Sequence, residues 1–204
     1  SEADQISYAL GYQTGKAFQM NQLNIDSKVF MEGLNTALNN QKPTMSEKAM
    51  QTTLENLQKQ YAEKMQQKMA EVAAKNLKIS EEYLANNKKQ PGVQALSDGV
   101  QYKILIEGKG VKPTLSDSVT VDYEGKLTNQ QVFDSSYQRG KPATFPISGL
   151  IKGWQAALIA MPVGSTWEIV IPPKLAYGAS GIPGAIEPNE ALIFKVHLIS
   201  IEKK

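Results

Sequence analysis

The residues of this 204-residue chain that could do chemistry are mostly aromatic and aliphatic, with few polar groups among them. Tyr123, Phe133, Asp134, Phe145, Ile151, Trp154, Tyr177, Ile186 and Phe194 all lie in its second half. A hydrophobic core is the ordinary reading of such a set. Two features favour a binding pocket instead. Asp134 directly follows Phe133 in an apolar setting, where a carboxylate needs hydrogen-bond partners to stay ionised. Tyr177 and Ile186 fall in residues 175–188, a stretch too rich in glycine and proline for regular structure and therefore a long surface loop, where function concentrates.

Other chemistries have little to work with. Cysteine is absent, which removes thiol nucleophiles, disulfides and thiolate metal sites. His197 is the only histidine, so clustered imidazole ligands are excluded, and strand alternation turns it outward beside Lys195 as a solvated residue. Gly108-Lys-Gly110 lacks the third glycine and the following helix of a dinucleotide site. No metal or cofactor is expected. The formal charge of +2 is spread evenly over both halves and Arg139 is the only arginine, so a nucleic-acid partner is not expected. No run approaches the roughly 18 to 20 apolar residues of a membrane span. The chain begins at Ser1 without methionine, as it would after removal of a signal peptide or a tag.

The elements that must position these residues fall into two modules. Of ten prolines only Pro43 and Pro91 precede residue 112, and six of the seven methionines lie in the first 70 residues. Ile6, Leu10 and Phe18, with Gly11 and Gly15 four apart, predict a short helix with a small-residue notch for something to press into. A second helix begins at Asp26 or Ser27, carries Phe30, Leu34 and Leu38, and stops before Pro43. Thr44-Met-Ser-Glu47 fits a capping box with Thr44 as N-cap. From there Met50, Leu54, Leu57, Tyr61, Met65, Met69 and Val72 predict one long helix to Pro91, with little left to bury beyond Ala73. After Gly92, Val119, Val121, Tyr123 and Leu127 alternate as a half-buried strand, and Leu192, Phe194, Val196 and Leu198 share one face of the last strand. Ile151, Trp154, Leu158 and Met161 predict a short helix ended by Pro162.

In order and spacing, Val119-Thr-Val-Asp-Tyr-Glu-Gly-Lys-Leu, Val132-Phe-Asp-Ser-Ser, Leu150-Ile-Lys-Gly-Trp, Met161-Pro-Val-Gly-Ser and Leu175-Ala-Tyr-Gly resemble the FKBP-type peptidyl-prolyl isomerases over roughly residues 92 to 202. The Met-rich helices, the long helix and Lys89-Gln-Pro-Gly-Val resemble the amino-terminal part of the macrophage infectivity potentiator (Mip) branch of that family. The resemblance implies an α+β fold: a helical dimerisation module over 1–43, a connecting helix over 44–89, and an isomerase domain over 90–204 whose antiparallel β-sheet wraps a short helix. It places Tyr123, Phe133, Asp134, Arg139, Phe145, Leu150, Ile151, Trp154, Tyr177, Ile186 and Phe194 around a proline pocket floored by Trp154, with Asp134 and Tyr177 as the catalytic pair. Ala143, Leu150, Ile182 and Ala185 depart from the family pattern, which bears on substrate preference and inhibitor affinity rather than on activity.

The implied partners are proline-containing peptides, unfolded proteins, macrolide inhibitors of the tacrolimus and rapamycin type, and a second copy of the chain. The implied location is the periplasm or outer membrane of a Gram-negative bacterium. Rotation of an X-Pro bond needs no nucleophile, metal or proton inventory, only relief of a barrier of about 18–20 kcal/mol. Arg139, five residues after Asp134, is the candidate partner that keeps the carboxylate ionised. A non-catalytic chaperone or adhesion module that binds proline-containing segments is the alternative. Residues 92–204 alone are expected to act on a short peptide about as well as the whole chain.

Overall fold

In the computed structural model, which describes residues 1–202, the chain divides into two units, Ser1–Tyr61 and Ala62–Lys204, with the division inside one long helix.

The first unit holds α1 (Glu2–Met20), α2 (Ser27–Leu38) and the start of α3 (Glu47–Asn87). Helix α1 is longer than the apolar spacing predicts, because Ser1 and Asp4 form a capping box at its first turn. Asp26 caps α2, its carboxylate accepting from the N–H groups of Lys28 and Val29 at 2.9 and 3.2 Å. The cap of α3 is Ser46 rather than Thr44, with Ser46 Oγ accepting from the Ala49 N–H at 3.1 Å. The capping box over Thr44–Glu47 is thereby overturned: Ser46 offers an equally good acceptor one residue before the helix begins. Among the described residues of α1 and α2 none is buried. Phe18 and Phe30 meet edge to face with ring centroids 5.4 Å apart, but Ile6, Leu10, Val29 and Leu38 are more than half exposed. Among the described residues nothing enters the expected notch, since a Cβ at Gly11 or Gly15 would meet no atom within 4 Å.

In the second unit, β1 (Val93–Ala95), β2 (Gln101–Ile106), β3 (Ser118–Leu127), β4 (Val132–Ser135), β5 (Ala143–Pro146), β6 (Thr166–Ile171) and β7 (Leu192–Glu202) build one antiparallel sheet. Its order is β1-β2-β6-β7-β3-β4, with β5 also pairing with β3. Strand β3 shows the alternation its sequence predicts, with every second residue from Val119 to Leu127 buried. A single turn, α4 (Ser136–Arg139), follows β4, and α5 (Lys152–Ala160) lies against the sheet. Gly153 makes that contact possible, because a Cβ there would overlap the Ile171 side chain. Trp154, Ala157 and Leu158 of α5 join Val119, Val121, Ile169, Ile171, Leu192, Val196 and Leu198 in the core. His197 does face away from this core, but it is half-buried and its Nδ1 lies 2.9 Å from Thr166 Oγ1 across the β6–β7 pair. It is a bonded strand residue, not a solvated one.

The expectation that α3 has little to bury beyond Ala73 is overturned. Asn76 and Ser80 are its two buried residues, and both bond to the segment that leads into β7. Gln101 of β2 adds bonds to the Leu84 carbonyl and to Asn87 Nδ2 at 2.9 and 2.8 Å. The helix face that docks is polar, so hydrophobic periodicity does not reveal it.

Candidate active site

Tyr123 on the inward face of β3, Phe133 and Asp134 on β4, Phe145 on β5, Leu150 and Ile151 before α5, Trp154 in its first turn, Tyr177 after β6 and Phe194 on β7 enclose one cavity of about 280 Å³. Trp154 is buried at the centre of the rings. Tyr123, Phe194 and Phe145 meet it nearly at right angles, at centroid distances of 5.3, 5.2 and 6.3 Å. Such edge-to-face pairs add about 0.5–1.5 kcal/mol each beyond area burial, so the wall is stiff. Phe133 and Phe194 meet the same way at 5.5 Å. That contact requires Gly125, where a Cβ would lie 2.6 Å from the Phe194 ring and 2.7 Å from the Phe133 ring. A glycine interrupting the β3 alternation is the sequence signal for this close approach.

The approach to α5 is fixed by Gln155, whose amide donates to the carbonyls of Leu150 and Ser148 at 2.7 and 3.2 Å. Ile151, at the N-cap position, leaves its backbone N–H without a protein acceptor among the described residues. Gly125, Gln155 and this N–H are site features that residue type and spacing did not single out.

The one charged group lining the cavity is held tightly. Tyr123 Oη donates to Asp134 Oδ2 at 2.6 Å, the Arg139 guanidinium forms an ion pair with Asp134 Oδ1, and Arg139 Nη2 donates to Tyr123 Oη at 2.7 Å. The guanidinium also sits 5.4 Å from the centroid of the Tyr123 ring. Buried Ser136 anchors the arrangement, its Oγ accepting from the Tyr123 N–H at 2.9 Å and donating to Asp122 Oδ1 at 2.8 Å. Arg139 does not line the cavity. It stands behind Asp134.

Ile186 is not among the lining residues either. It is buried in the core cluster and borders a separate groove beside Met65, Met69 and Val72 of α3. The cause is local: Ile182 and Ile186 pair as a short antiparallel bridge, with Ile182 N–H to Ile186 O at 2.7 Å, which folds the loop back on itself.

Electrostatics keep the site in one protonation state. Burial alone would raise the Asp134 carboxyl, but the bonds from Tyr123 and Arg139 outweigh it and hold it below the usual carboxylate value. Burial raises the phenol of Tyr123, reinforced by its bond to Asp134 and opposed by Arg139. Burial and the Asp134 charge raise the Tyr177 phenol as well. A lowered carboxyl stabilises the fold above its unfolded value, about pH 3.9, and that contribution is lost as pH falls through the lower folded value. We therefore expect kcat/KM on a short peptide to vary less than about twofold from pH 5.5 to 9. A bell-shaped profile centred near neutrality would contradict this assignment.

An apolar cavity walled by rings and carrying one locked carboxylate suits a small, largely neutral group. Comparison with known proteins identifies the class of protein. Residues 109–199 match the family described as FKBP-type peptidyl-prolyl cis-trans isomerase, and residues 3–104 match the domain amino terminal to it. The chain is 52% identical to the "Peptidyl-prolyl cis-trans isomerase Mip" of Coxiella burnetii, over 100% of this chain and 89% of that protein. It is 41% identical to the "Outer membrane protein MIP" of Legionella longbeachae, over 100% of this chain and 87% of that one. The crystal structure of FkpA from Escherichia coli matches with a TM-score of 0.80 at 32% identity, covering 99% of this chain and 97% of that one. The chain belongs to the FKBP-type peptidyl-prolyl cis-trans isomerases, in their Mip branch, and is an enzyme that interconverts the cis and trans forms of X-Pro bonds.

Proposed function

We propose that catalysis takes place in the aromatic cavity, with Trp154 as the floor for the proline ring and Tyr123, Phe133, Phe145, Leu150, Ile151 and Phe194 as its walls. The observation that supports this most is the convergence of these residues from four strands, a loop and a helix on a single cavity of about 280 Å³. In the planar amide, resonance separates charge between oxygen and nitrogen; twisting the C–N bond removes that separation. An apolar wall therefore favours the twisted form over the planar one, which is differential binding of the transition state. The Tyr177 hydroxyl and the Ile151 N–H are free to donate to substrate carbonyls. Asp134, already accepting from Tyr123 and Arg139, acts as a fixed negative charge and not as a proton carrier. Arg139 is a positioning residue. Macrolides of the tacrolimus and rapamycin type would occupy the same cavity, with Ala143, Ile182 and Ala185 shaping their affinity. Our proposed location is the periplasm or the outer-membrane surface.

The helical unit serves association with a second copy and the holding of unfolded clients. Its support is the absence of any buried residue in α1 and α2 among the described residues, together with the exposed Ile6, Leu10, Val29 and Leu38. A segment this short rarely forms a core alone, and pairing two copies covers these side chains, with the methionines adapting to an irregular seam. Light scattering of the whole chain at micromolar concentration is expected to give about twice the 22.4 kDa chain mass. A monomer under those conditions would rule the pairing out.

A further inference from the structure

The face of α3 that docks on the isomerase unit meets the loop that carries Tyr177. Asn76 Nδ2 donates to the Pro188 carbonyl at 3.0 Å and to Glu187 Oε2 at 3.2 Å. Ser80, only 1% exposed, uses one oxygen twice: it donates to the Asn189 carbonyl at 2.8 Å and accepts from the Ala191 N–H at 2.7 Å. Asn189 itself has φ +58°, a left-handed conformation that side chains other than glycine adopt at a cost. Three bonds hold it there. Its carbonyl is taken by Ser80, its side-chain amide donates to the Ala73 carbonyl at 3.2 Å, and its N–H donates to the Gly178 carbonyl at 2.8 Å. Gly178 is the neighbour of Tyr177, whose ring lines the cavity.

An unbroken line of buried or bonded groups thus runs from α3 through Asn189 to the residue beside Tyr177. Without Ser80, the carbonyl of Asn189 and the N–H of Ala191 lose their partner in a dry place. A buried polar group left unpaired is costly, so the backbone there would have to shift to find another partner. Asn189 would then be free to leave its left-handed conformation, and the Gly178 carbonyl would lose its donor, leaving Gly178 held only through the bond from its N–H to the Pro173 carbonyl at 2.9 Å.

We propose that Ser80 and Asn76 of the long helix are positioning residues for the isomerase reaction, fixing through Asn189 and Gly178 the placement of Tyr177 over the cavity. The helix is then part of the catalytic apparatus as well as a connector. This rests on the reading above that Tyr177 works in the site.

The test is a double-mutant cycle on the full-length chain, with turnover of a short Xaa-Pro peptide as the readout. Ser80→Ala should lower kcat/KM about five- to tenfold in the wild-type background. In a Tyr177→Ala background, where there is no side chain left to misplace, the same change should cost less than twofold. Asn76→Ala, which leaves the Ser80 bonds in place, should show the same pattern at smaller amplitude and serves if Ser80→Ala does not fold. An equal loss in both backgrounds would mean that Ser80 only supports the fold, and no loss in either would mean that the loop needs no brace; each overturns the proposal. A Tyr177→Ala variant as active as wild type would instead overturn the reading of Tyr177 and this inference with it.

Discussion

Asp134→Ala should cost about 1–3 kcal/mol in the isomerisation barrier, roughly five- to 150-fold in kcat/KM, while the chain stays folded. The loss has two sources. The substitution removes the fixed charge beside the reacting amide, and it strips both the Tyr123 hydroxyl and the Arg139 guanidinium of their common acceptor. The buried Tyr123 then loses the acceptor for its own proton and keeps only the bond its hydroxyl accepts from Arg139, so its ring is held less firmly beside Trp154. Stability should change little, because the Asp134 and Arg139 side chains remain well exposed at 40% and 44% and a screened pair of this kind contributes under about 1 kcal/mol. Asp134→Asn removes the charge and keeps one of the two acceptor oxygens, so it can serve Tyr123 or Arg139 but not both in the present geometry, and its turnover should fall between those of wild type and Asp134→Ala. Turnover by Asp134→Ala equal to that of wild type would take the carboxylate out of the mechanism.

Much of this site was legible because strands and short amphipathic helices announce their buried faces. The alternation from Val119 to Leu127 placed Tyr123 inward, and the spacing of Ile151, Trp154 and Leu158 placed the tryptophan against the sheet. The position of Ile186 in the core cluster was not legible, because apolar side chains on a Gly/Pro-rich loop carry no period and the bridge to Ile182 that folds it there cannot be read from composition. The docked face of α3 escaped for a different reason. Asn76 and Ser80 bind backbone groups more than a hundred residues away, and such bonds leave no mark on a hydrophobic pattern. At the start of that helix Thr44 and Ser46 are both competent caps, and only the backbone after Pro43 decides between them.

The docked helix changes where the chain can be cut for the second large effect. Cutting near Pro91 removes the brace on the Tyr177 loop, so the peptide activity expected of residues 92–204 should require a fragment that begins before Ala73; residues 62–204 form one such unit. This fragment should turn over a short Xaa-Pro peptide within about twofold of the intact chain. On a protein substrate whose refolding is limited by proline isomerisation it should be at least about tenfold slower. A short peptide lies within one cavity and gains nothing from the helical unit. A client protein exposes apolar segments around its proline, and holding them elsewhere on a paired molecule raises the effective concentration of that proline at a cavity without any new contact in the site. Equal losses on both substrates would mean that the helical unit only stabilises the enzyme.

The most direct test of the account is exchange spectroscopy by NMR on a short Xaa-Pro peptide mixed with the intact chain and, in parallel, with Asp134→Ala. Binding and catalysis are read from the same spectra, as shifted resonances and as cis–trans exchange cross-peaks. We predict that the intact chain brings exchange from its uncatalysed time of tens to hundreds of seconds into the subsecond range, and that Asp134→Ala still shifts the peptide resonances while exchange slows by about five- to 150-fold. Shifted resonances with exchange no faster than in free peptide would show a cavity that binds proline without turning it, and would contradict the account.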